Sequence, residues 1–207
     1  MSFDKKWAGG DSRPLGKAIR ETIHPPGALK PRMDYAQKKI QAQIQKLDRE
    51  SERFTERDKA LFAKVVDAYQ KHDTPHANIY ANELAELRKM QKTTLNAKLA
   101  LDQIAMRIEA VSELGDIAAA LLPVINVMRD IMHGMAAVNP QIAKEMGEIS
   151  NILSGIVMDV GASSGMSLSF QSANEDSAKI MEEAQAVAER RMKDTFPELP
   201  GSGKVPI

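Results

Sequence analysis

The chain has 207 residues, enough for one or two domains, and its lack of cysteine excludes disulfides, thiolate metal sites and cysteine nucleophiles. Its hydrophobic fraction of 43% is ordinary, whereas its aromatic fraction of 4% is low, which favours helices over strands. The net charge of zero conceals a split, because residues 1–107 carry 21 basic and 14 acidic residues (+7) and residues 108–207 carry 7 and 14 (−7). Such a split indicates an anionic partner for the first half, self-association between halves, or intramolecular closure.

Residues 1–32 are rich in proline and glycine, which predicts a flexible basic arm. Phe3 and Trp7 lie four residues apart beside Lys5 and Lys6, so one helical turn would place aromatic and basic side chains together, as at a membrane interface. The arm lacks the apolar core of a secretory signal, and no stretch reaches the roughly 20 apolar residues of a membrane span. An intracellular location is therefore expected.

A seven-residue hydrophobic repeat then predicts a helix of about forty residues. The repeat consists of Met33, Ile40, Leu47, Phe54, Leu61 and Ala68. Thr74 suits an N-cap and Pro75 a first helical position, so a second helix is expected to run to about Leu114. A short turn between two long helices predicts an antiparallel hairpin over residues 33–114.

Shorter helices are predicted to complete a core over residues 33–158. Pro123 lies within the apolar region from Ile117 to Val138 and is expected to kink or break a helix there. Asn139 followed by Pro140 predicts a new helix from about Gln141 to Met158.

The last part of the chain divides into three predicted segments. Serine and glycine in residues 159–173 predict a linker. Ser172 and Glu175 have the spacing of a capping box for a late helix over residues 174–195. The proline-containing residues 196–207 are expected to form an extended tail.

Catalytic and metal-site patterns are weak in this sequence. It has no Walker-type phosphate loop, nucleophile elbow or Cys/His zinc pattern. Glu21 with His24 and Asp130 with His133 have the spacing of di-iron ligands, but prolines directly after His24 argue against a continuous bundle helix. We therefore expect no enzyme activity, no metal and no cofactor.

Two binding alternatives remain at this point. A methionine stripe at Met128, Met132 and Met135 favours helical core over an adaptable protein-binding groove. The basic first half could attract a membrane or nucleic acid, and the absence of interleaved stacking aromatics favours the membrane over a nucleic-acid-associated scaffold.

Four sequence pieces, in this order, resemble one family. They are "ERDKALFAKVV" at 56–66, "IYANELAELRKM" at 79–90, "LLPV" at 121–124 and "FPELP" at 196–200. Together with the basic hairpin, the acidic shorter helices and the terminal proline motif, they resemble the ESCRT-III family and its archaeal cell-division branch, the CdvB proteins. The resemblance covers roughly residues 30–200 and implies an elongated ESCRT-III-type helical hairpin with shorter packed helices.

The resemblance also implies a function and a set of partners. It implies a cytoplasmic protein, peripheral on the inner face of the cell membrane at the division site, that polymerises with itself and with CdvB paralogues. In that family the first helix faces an anionic membrane, and the matching candidates are Lys38, Lys39, Lys46 and Arg49. The late helix folds back on the hairpin in a closed monomer.

The terminal proline motif is read in that family by the MIT domain of the AAA ATPase CdvC, which disassembles the polymer. The matching anchors are Pro197, Leu199, Pro200, Val205 and Pro206. Full CdvB chains continue into a winged-helix-like segment that contacts the recruiter CdvA, whereas this chain stops at Ile207. We therefore expect one of the shorter CdvB paralogues, and the resemblance does not extend to direct recruitment by CdvA.

Overall fold

The computed structural model describes residues 29–114, 117–164 and 170–197, and within these ranges the chain forms helices and no strands. The helices are α1 (Leu29–Gln70), α2 (Thr74–Leu114), α3 (Ile117–Met135), α4 (Pro140–Ser164) and α5 (Phe170–Thr195). The predicted all-α fold is confirmed. The predicted arm up to residue 28 and the predicted tail after Pro197 lie outside the described residues.

The α1 and α2 helices form the predicted antiparallel hairpin. Its register is visible in two ion pairs across the seam, Asp58 with Arg88 and Asp48 with Lys98. Ten residues back along α1 correspond to ten residues forward along α2, as antiparallel pairing requires. With 42 residues, α1 is about 63 Å long at a rise of 1.5 Å per residue. The hairpin is therefore the longest dimension of the fold.

The N-terminal bound of α1 differs from the prediction. The helix begins at Leu29, so residues 29–32 belong to α1 and not to the irregular arm. Pro31 is the third residue of the helix, where a backbone N–H has no intrahelical acceptor and its absence costs little. Leu29 also packs against the main hydrophobic core, which favours the extra turn.

The hairpin turn begins with a Schellman motif at the end of α1. The N–H of His72 donates to the carbonyl of Tyr69 at 3.1 Å, and the N–H of Asp73 donates to the carbonyl of Ala68 at 2.9 Å. His72 has a φ of 57°, the left-handed conformation that this motif requires and that glycine usually supplies. The tip therefore stores backbone strain at one residue.

The N-cap of α2 is Asp73, and the prediction of Thr74 is wrong. The carboxylate Oδ1 of Asp73 accepts the backbone N–H of His76 at 3.3 Å, and Oδ2 lies 2.7 Å from Nδ1 of its imidazole. These hydrogen bonds, the backbone one first, lower the pKa of Asp73. Thr74 is already the first helical residue because Asp73 accepts the first turn's hydrogen bonds.

Pro123 does not break α3, which is continuous from Ile117 to Met135. The proline is buried, and α3 packs on α2, α4 and α5. Packing against three helices compensates for the helical hydrogen bond that Pro123 cannot donate. An isolated helix would lack this compensation.

The α4 helix begins as predicted and ends later. The carboxamide of Asn139 accepts the N–H of Ile142 at 3.2 Å, which confirms the predicted cap. The helix continues to Ser164 instead of Met158, because Asp159 pairs with Arg32 of α1 and Val160 packs on the core. The predicted linker is therefore wrong for residues 159–164.

The α5 helix begins at Phe170, so the linker prediction is also wrong for residues 170–173. Ser172 is the third residue of α5 and cannot be its N-cap, which makes the predicted capping box wrong. Residues 165–169 lie outside the described part of the chain. The helix ends before Pro197 as predicted.

Two hydrophobic clusters lie along the hairpin. The larger includes buried residues of all five helices, and Ile180 and Ala184 of α5 belong to it. The smaller lies nearer the tip and contains Phe54, Val65, Leu84 and Leu87. The distal hairpin therefore has a thin core made mainly by α1 and α2.

Candidate interaction surfaces

A basic face on the outside of α1 is the first candidate surface. Lys38 and Arg49 are exposed and lie eleven residues, or roughly three turns, apart on the same side of the helix. Arg53, which is not among the predicted site residues, lies one turn beyond Arg49; its side chain is 75% exposed and forms an ion pair with Glu50 of the same helix at 3.3 Å. We call Lys38, Arg49 and Arg53 the outer basic face. Buried Leu47 lies about 200° around the helix from Arg49, so this face points away from the seam.

The two other basic candidates on α1 are not part of the outer basic face. The ammonium of Lys39 lies 5.6 Å from the ring centroid of Tyr35, a cation–π contact that leaves Lys39 partly buried. Lys46 forms an ion pair with Glu145 of α4. Of the four basic residues predicted on α1, two are therefore exposed, and the other two, Lys39 and Lys46, contact other side chains of the protein. Phe3, Lys5, Lys6 and Trp7 lie outside the described residues.

Glu145 is the centre of a polar cluster between α1 and α4. Its carboxylate accepts hydrogen bonds from Lys46 and Gln43 of α1 and from Gln141 of α4. These donors, Lys46 first and Gln141 next, lower the pKa of Glu145 to about 2. The carboxylate therefore stays charged near neutral pH and holds α4 against α1.

Ion pairs connect the basic first half of the chain with its acidic second half. They join Arg32 to Asp159, Lys46 to Glu145, Lys92 to Glu189 and Arg107 to Asp176. Each links a cation before residue 108 with a carboxylate after it. Of the three explanations of the charge split, intramolecular closure thus has direct structural support.

Arg88 on α2 connects the hairpin seam with the end of α5. Its guanidinium donates from Nε to Asp58 Oδ2 at 2.6 Å and from Nη2 to Asp58 Oδ1 at 3.2 Å. Its Nη1 donates to the carbonyl of Pro197 at 2.8 Å, and the guanidinium carbon lies 5.3 Å from the ring centroid of Phe196. The start of the predicted MIT-binding motif therefore lies against the hairpin.

The buried end of this arrangement is Asp58, whose side chain is 2% exposed, while that of Arg88 is 16% exposed. Neither residue is among the site residues predicted from the sequence. Asp58 lies four residues after Phe54 on the hydrophobic stripe, and a charged residue at a seam position is a signal for a buried partner. Of the predicted anchors, Pro197 is described, while Leu199, Pro200, Val205 and Pro206 lie outside the described residues.

The methionine stripe of α3 belongs to the core, as predicted. Met128 and Met135 are fully buried, and Met132 packs against the core from a partly buried position. Asp130 and His133 are exposed on the same helix. In the described part of the chain, no group of three or more His, Asp or Glu side chains could hold a metal ion. Glu21 and His24 lie outside it.

By length and composition alone, α3 could cross a membrane, and among the described residues it is the one helix that could. No membrane span is predicted here from the sequence. In the structure its apolar side chains pack into the main cluster, including Leu121, Val124 and Ile131. Such burial is what the central helix of a bundle requires.

Two curated proteins are similar to this chain along most of its length. Cell division protein B1 of Sulfolobus acidocaldarius is 38% identical over 201 residues, which cover 97% of this chain and 91% of that protein. Cell division protein B of the same organism is 33% identical over 162 residues, covering 78% of this chain and 62% of that protein, less than two thirds of its length. No protein-family model matches the chain, and no solved structure matches it.

Proposed function

This chain belongs to the CdvB family of archaeal cell division proteins, and from that premise we propose that it is a filament subunit that polymerises on the inner face of the cell membrane and constricts the neck between daughter cells. The observation that carries the proposal is the long hairpin with cations along its outward side. A role in archaeal cell division follows from the family; the filament, the membrane and the ATPase are the proposed parts.

Membrane binding is assigned to the outer basic face. Each Lys or Arg near an anionic surface contributes about 1 kcal/mol, so three of them contribute roughly 3 kcal/mol, or about a hundredfold in affinity. This contribution gives only weak membrane binding for one subunit. A filament presents the same face many times, and its subunits bind together with a much higher avidity. Membrane binding and polymerisation therefore reinforce each other.

Assembly is proposed to involve release of α5. This helix runs antiparallel to α2 and packs on the bundle through the larger side chains Ile180 and Met181 and the small side chains Ala173, Ala184 and Ala188. The alanines bury little apolar area, and Ile180 and Met181 contribute at most about 3 kcal/mol each. The two ion pairs to α2 are partly exposed, so each pair contributes at most about 1 kcal/mol. The helix can thus leave α2 and α3 while the hairpin stays folded.

Disassembly is proposed to depend on the MIT domain of the AAA ATPase CdvC, which binds the proline-containing tail beginning at Pro197. CdvB paralogues are the proposed co-assembly partners. A chain ending at Asp194 is expected to lose MIT binding and to keep its ability to polymerise. Unchanged MIT binding by that chain would remove the tail from the proposal.

The membrane proposal is tested by sedimentation with anionic liposomes. The variant Lys38→Glu, Arg49→Glu, Arg53→Glu reverses the outer basic face and is expected to sediment far less than the unmodified chain. A matched control, Lys144→Glu, Lys179→Glu, Arg190→Glu, changes the net charge equally at exposed positions of α4 and α5. Equal loss in both variants would mean that overall charge and not this face governs binding. Unchanged sedimentation of the first variant would exclude the face as the binding site.

A further inference from the structure

A groove runs along α2 between its contact with α1 and its contact with α5. Lys98 marks the α1 side through its ion pair with Asp48, and Arg107 marks the α5 side through its ion pair with Asp176. At about 3.6 residues per turn, four side chains of α2 lie between these two sides: Leu95, Leu99, Asp102 and Met106. Three of them are partly buried, and Met106 is 62% exposed. We call these four residues the α2 groove.

The α2 groove narrows toward the hairpin tip and opens at its other end. Contacts of α2 with the C-terminal part of the chain pass from Arg107 through Lys92 to Arg88. These three positions move about 100° around α2 toward the α1 side, so the C-terminal part of the chain and α1 converge near Arg88. In the register of the hairpin, residue 29 is level with residue 117, so α1 begins at the open end. Residues 1–28 therefore enter the fold beside this opening.

The α2 groove contains one acidic side chain, Asp102, which makes no ion pair within the described part of the chain. Asp102 is partly buried, and burial raises the pKa of its carboxyl. Lys98 is the nearest influence that opposes this shift, but its ammonium already forms the ion pair with Asp48. A further cation above Asp102 would stabilise the charged carboxylate.

Apolar surface is also exposed on the α5 side of the α2 groove. Ile180 and Glu183 line a shallow cavity together with Gln103 of α2. Val187 lies one turn beyond Glu183 and is 42% exposed. Exposed large apolar side chains beside a groove indicate an interaction surface. Together with Asp102, they fit an amphipathic segment that carries a cation.

We propose that the occupant is residues 15–23 of the same chain, docked in the α2 groove as a short amphipathic helix parallel to α2. Its large apolar side chains recur every four residues: Leu15, Ile19 and Ile23. This spacing puts them on one face of a helix. Pro14 suits the first helical position, and Pro25 ends the helix. The segment has two basic residues and one acidic residue, and Arg20 lies beside the apolar face.

The connecting residues are long enough for this placement. Six residue steps separate Ile23 from Leu29 and span about 20 Å when extended. Met106 lies eleven residues from the level of Leu29, or about 17 Å along α2. Ile23 therefore reaches Met106, and the Pro-Pro-Gly sequence of residues 25–27 allows the chain to reverse.

The same placement brings opposite charges together. One helical turn before Ile23, Ile19 is level with Asp102. In a right-handed helix that is parallel to α2 and has its apolar face on the groove, Arg20 points toward α1, the side on which Asp102 also lies. The guanidinium of Arg20 thus supplies the cation that Asp102 lacks.

Hydrogen exchange of the full chain, followed by mass spectrometry, tests the docking without a membrane or a partner protein. The variant Met106→Glu places a charge in the α2 groove. The matched control Met158→Glu places the same charge on α4, where Met158 is 69% exposed. Amides of residues 15–23 are expected to exchange at least about tenfold more slowly than in an unstructured peptide, both in the unmodified chain and in Met158→Glu. Met106→Glu is expected to abolish this protection.

A charge exchange tests the contact between Arg20 and Asp102. Arg20→Asp is expected to remove the protection of residues 15–23, and Arg20→Asp combined with Asp102→Arg is expected to restore it, because the two charges attract again in the exchanged order. Absence of restoration would exclude this contact as the one that holds the segment.

Unstructured exchange rates for residues 15–23 in the unmodified chain would overturn the proposal, as would equal protection in the two methionine variants. Protection that disappears on dilution would place the segment on a second copy and would overturn it as well. Because no membrane or ATPase is present, a negative result leaves the proposed function intact. Failure to bind liposomes leaves the docking intact in the same way.

Discussion

The buried pair of Asp58 and Arg88 gives the largest expected effect of a single substitution on stability. Arg88→Ala removes both hydrogen bonds to a carboxylate that is 2% exposed and leaves that charge unpaired inside the distal hairpin. Removing one partner of a buried ion pair costs about 3–5 kcal/mol. Because a domain's total stability is about 5–15 kcal/mol, such a loss is a large part of it.

The assay is urea unfolding of the full chain followed by circular dichroism, for Arg88→Ala, Asp58→Ala and the double variant. The double variant leaves no unpaired charge, so its loss is expected to be well below the sum of the two single losses. For a chain of this size, about 3–5 kcal/mol corresponds to a fall in Tm of roughly 6–20 °C. A loss below about 1 kcal/mol for Arg88→Ala, or strict additivity of the two substitutions, would refute the reasoning.

Three further predictions concern single sites. His72→Gly is expected to raise the free energy of unfolding by about 1 kcal/mol because glycine adopts a φ of 57° without strain; an unchanged urea midpoint would contradict this. Gly134→Ala is expected to add about 0.5–1 kcal/mol through helix propensity, since the new Cβ would lie 3.6 Å from the side chain of Thr93 and fits; a lower midpoint would mean that the space is not there. Glu145→Gln tests pH dependence: the folded pKa of Glu145, about 2, lies below its ordinary 4.5, so its stabilisation is present above pH 4.5 and disappears as the pH falls toward 2. The stability difference between the two proteins should therefore shrink over that range, and a constant difference would exclude the titration of Glu145 as its cause.

Local patterns in the sequence were sufficient for the main elements of the fold. The seven-residue repeat from Met33 predicts the long first helix, and Asn139 with Pro140 predicts the start of α4. Both predictions succeed because hydrophobic periodicity and helix caps depend on residues that are close in sequence. The predictions for Pro123 and for residues 159–164 are wrong for the opposite reason. Their helical state depends on packing against α1, α2 and α5, which propensity does not contain.

The binding surfaces show the same limit. The sequence predicts Lys38 and Arg49 as membrane-binding candidates of α1, and it also predicts Lys46. The ion pair of Lys46 with Glu145 could not be predicted, because the two residues lie about a hundred residues apart in sequence. Arg88 was missed because its partners come from α1 and from the end of the chain. The charge split of +7 and −7 predicts intramolecular closure as one of three explanations. Among the described residues, four ion pairs connect the two halves and identify the side chains that hold them together.

The central claim is assembly on a membrane, and electron microscopy of the full chain on vesicles tests it most directly. Anionic vesicles and uncharged vesicles of the same size are compared at one salt concentration. Filaments and deformed membrane are expected on the anionic vesicles only, and both are expected to be lost with the variant Lys38→Glu, Arg49→Glu, Arg53→Glu. Bare, undeformed anionic vesicles, together with tight salt-sensitive binding to DNA, would contradict it.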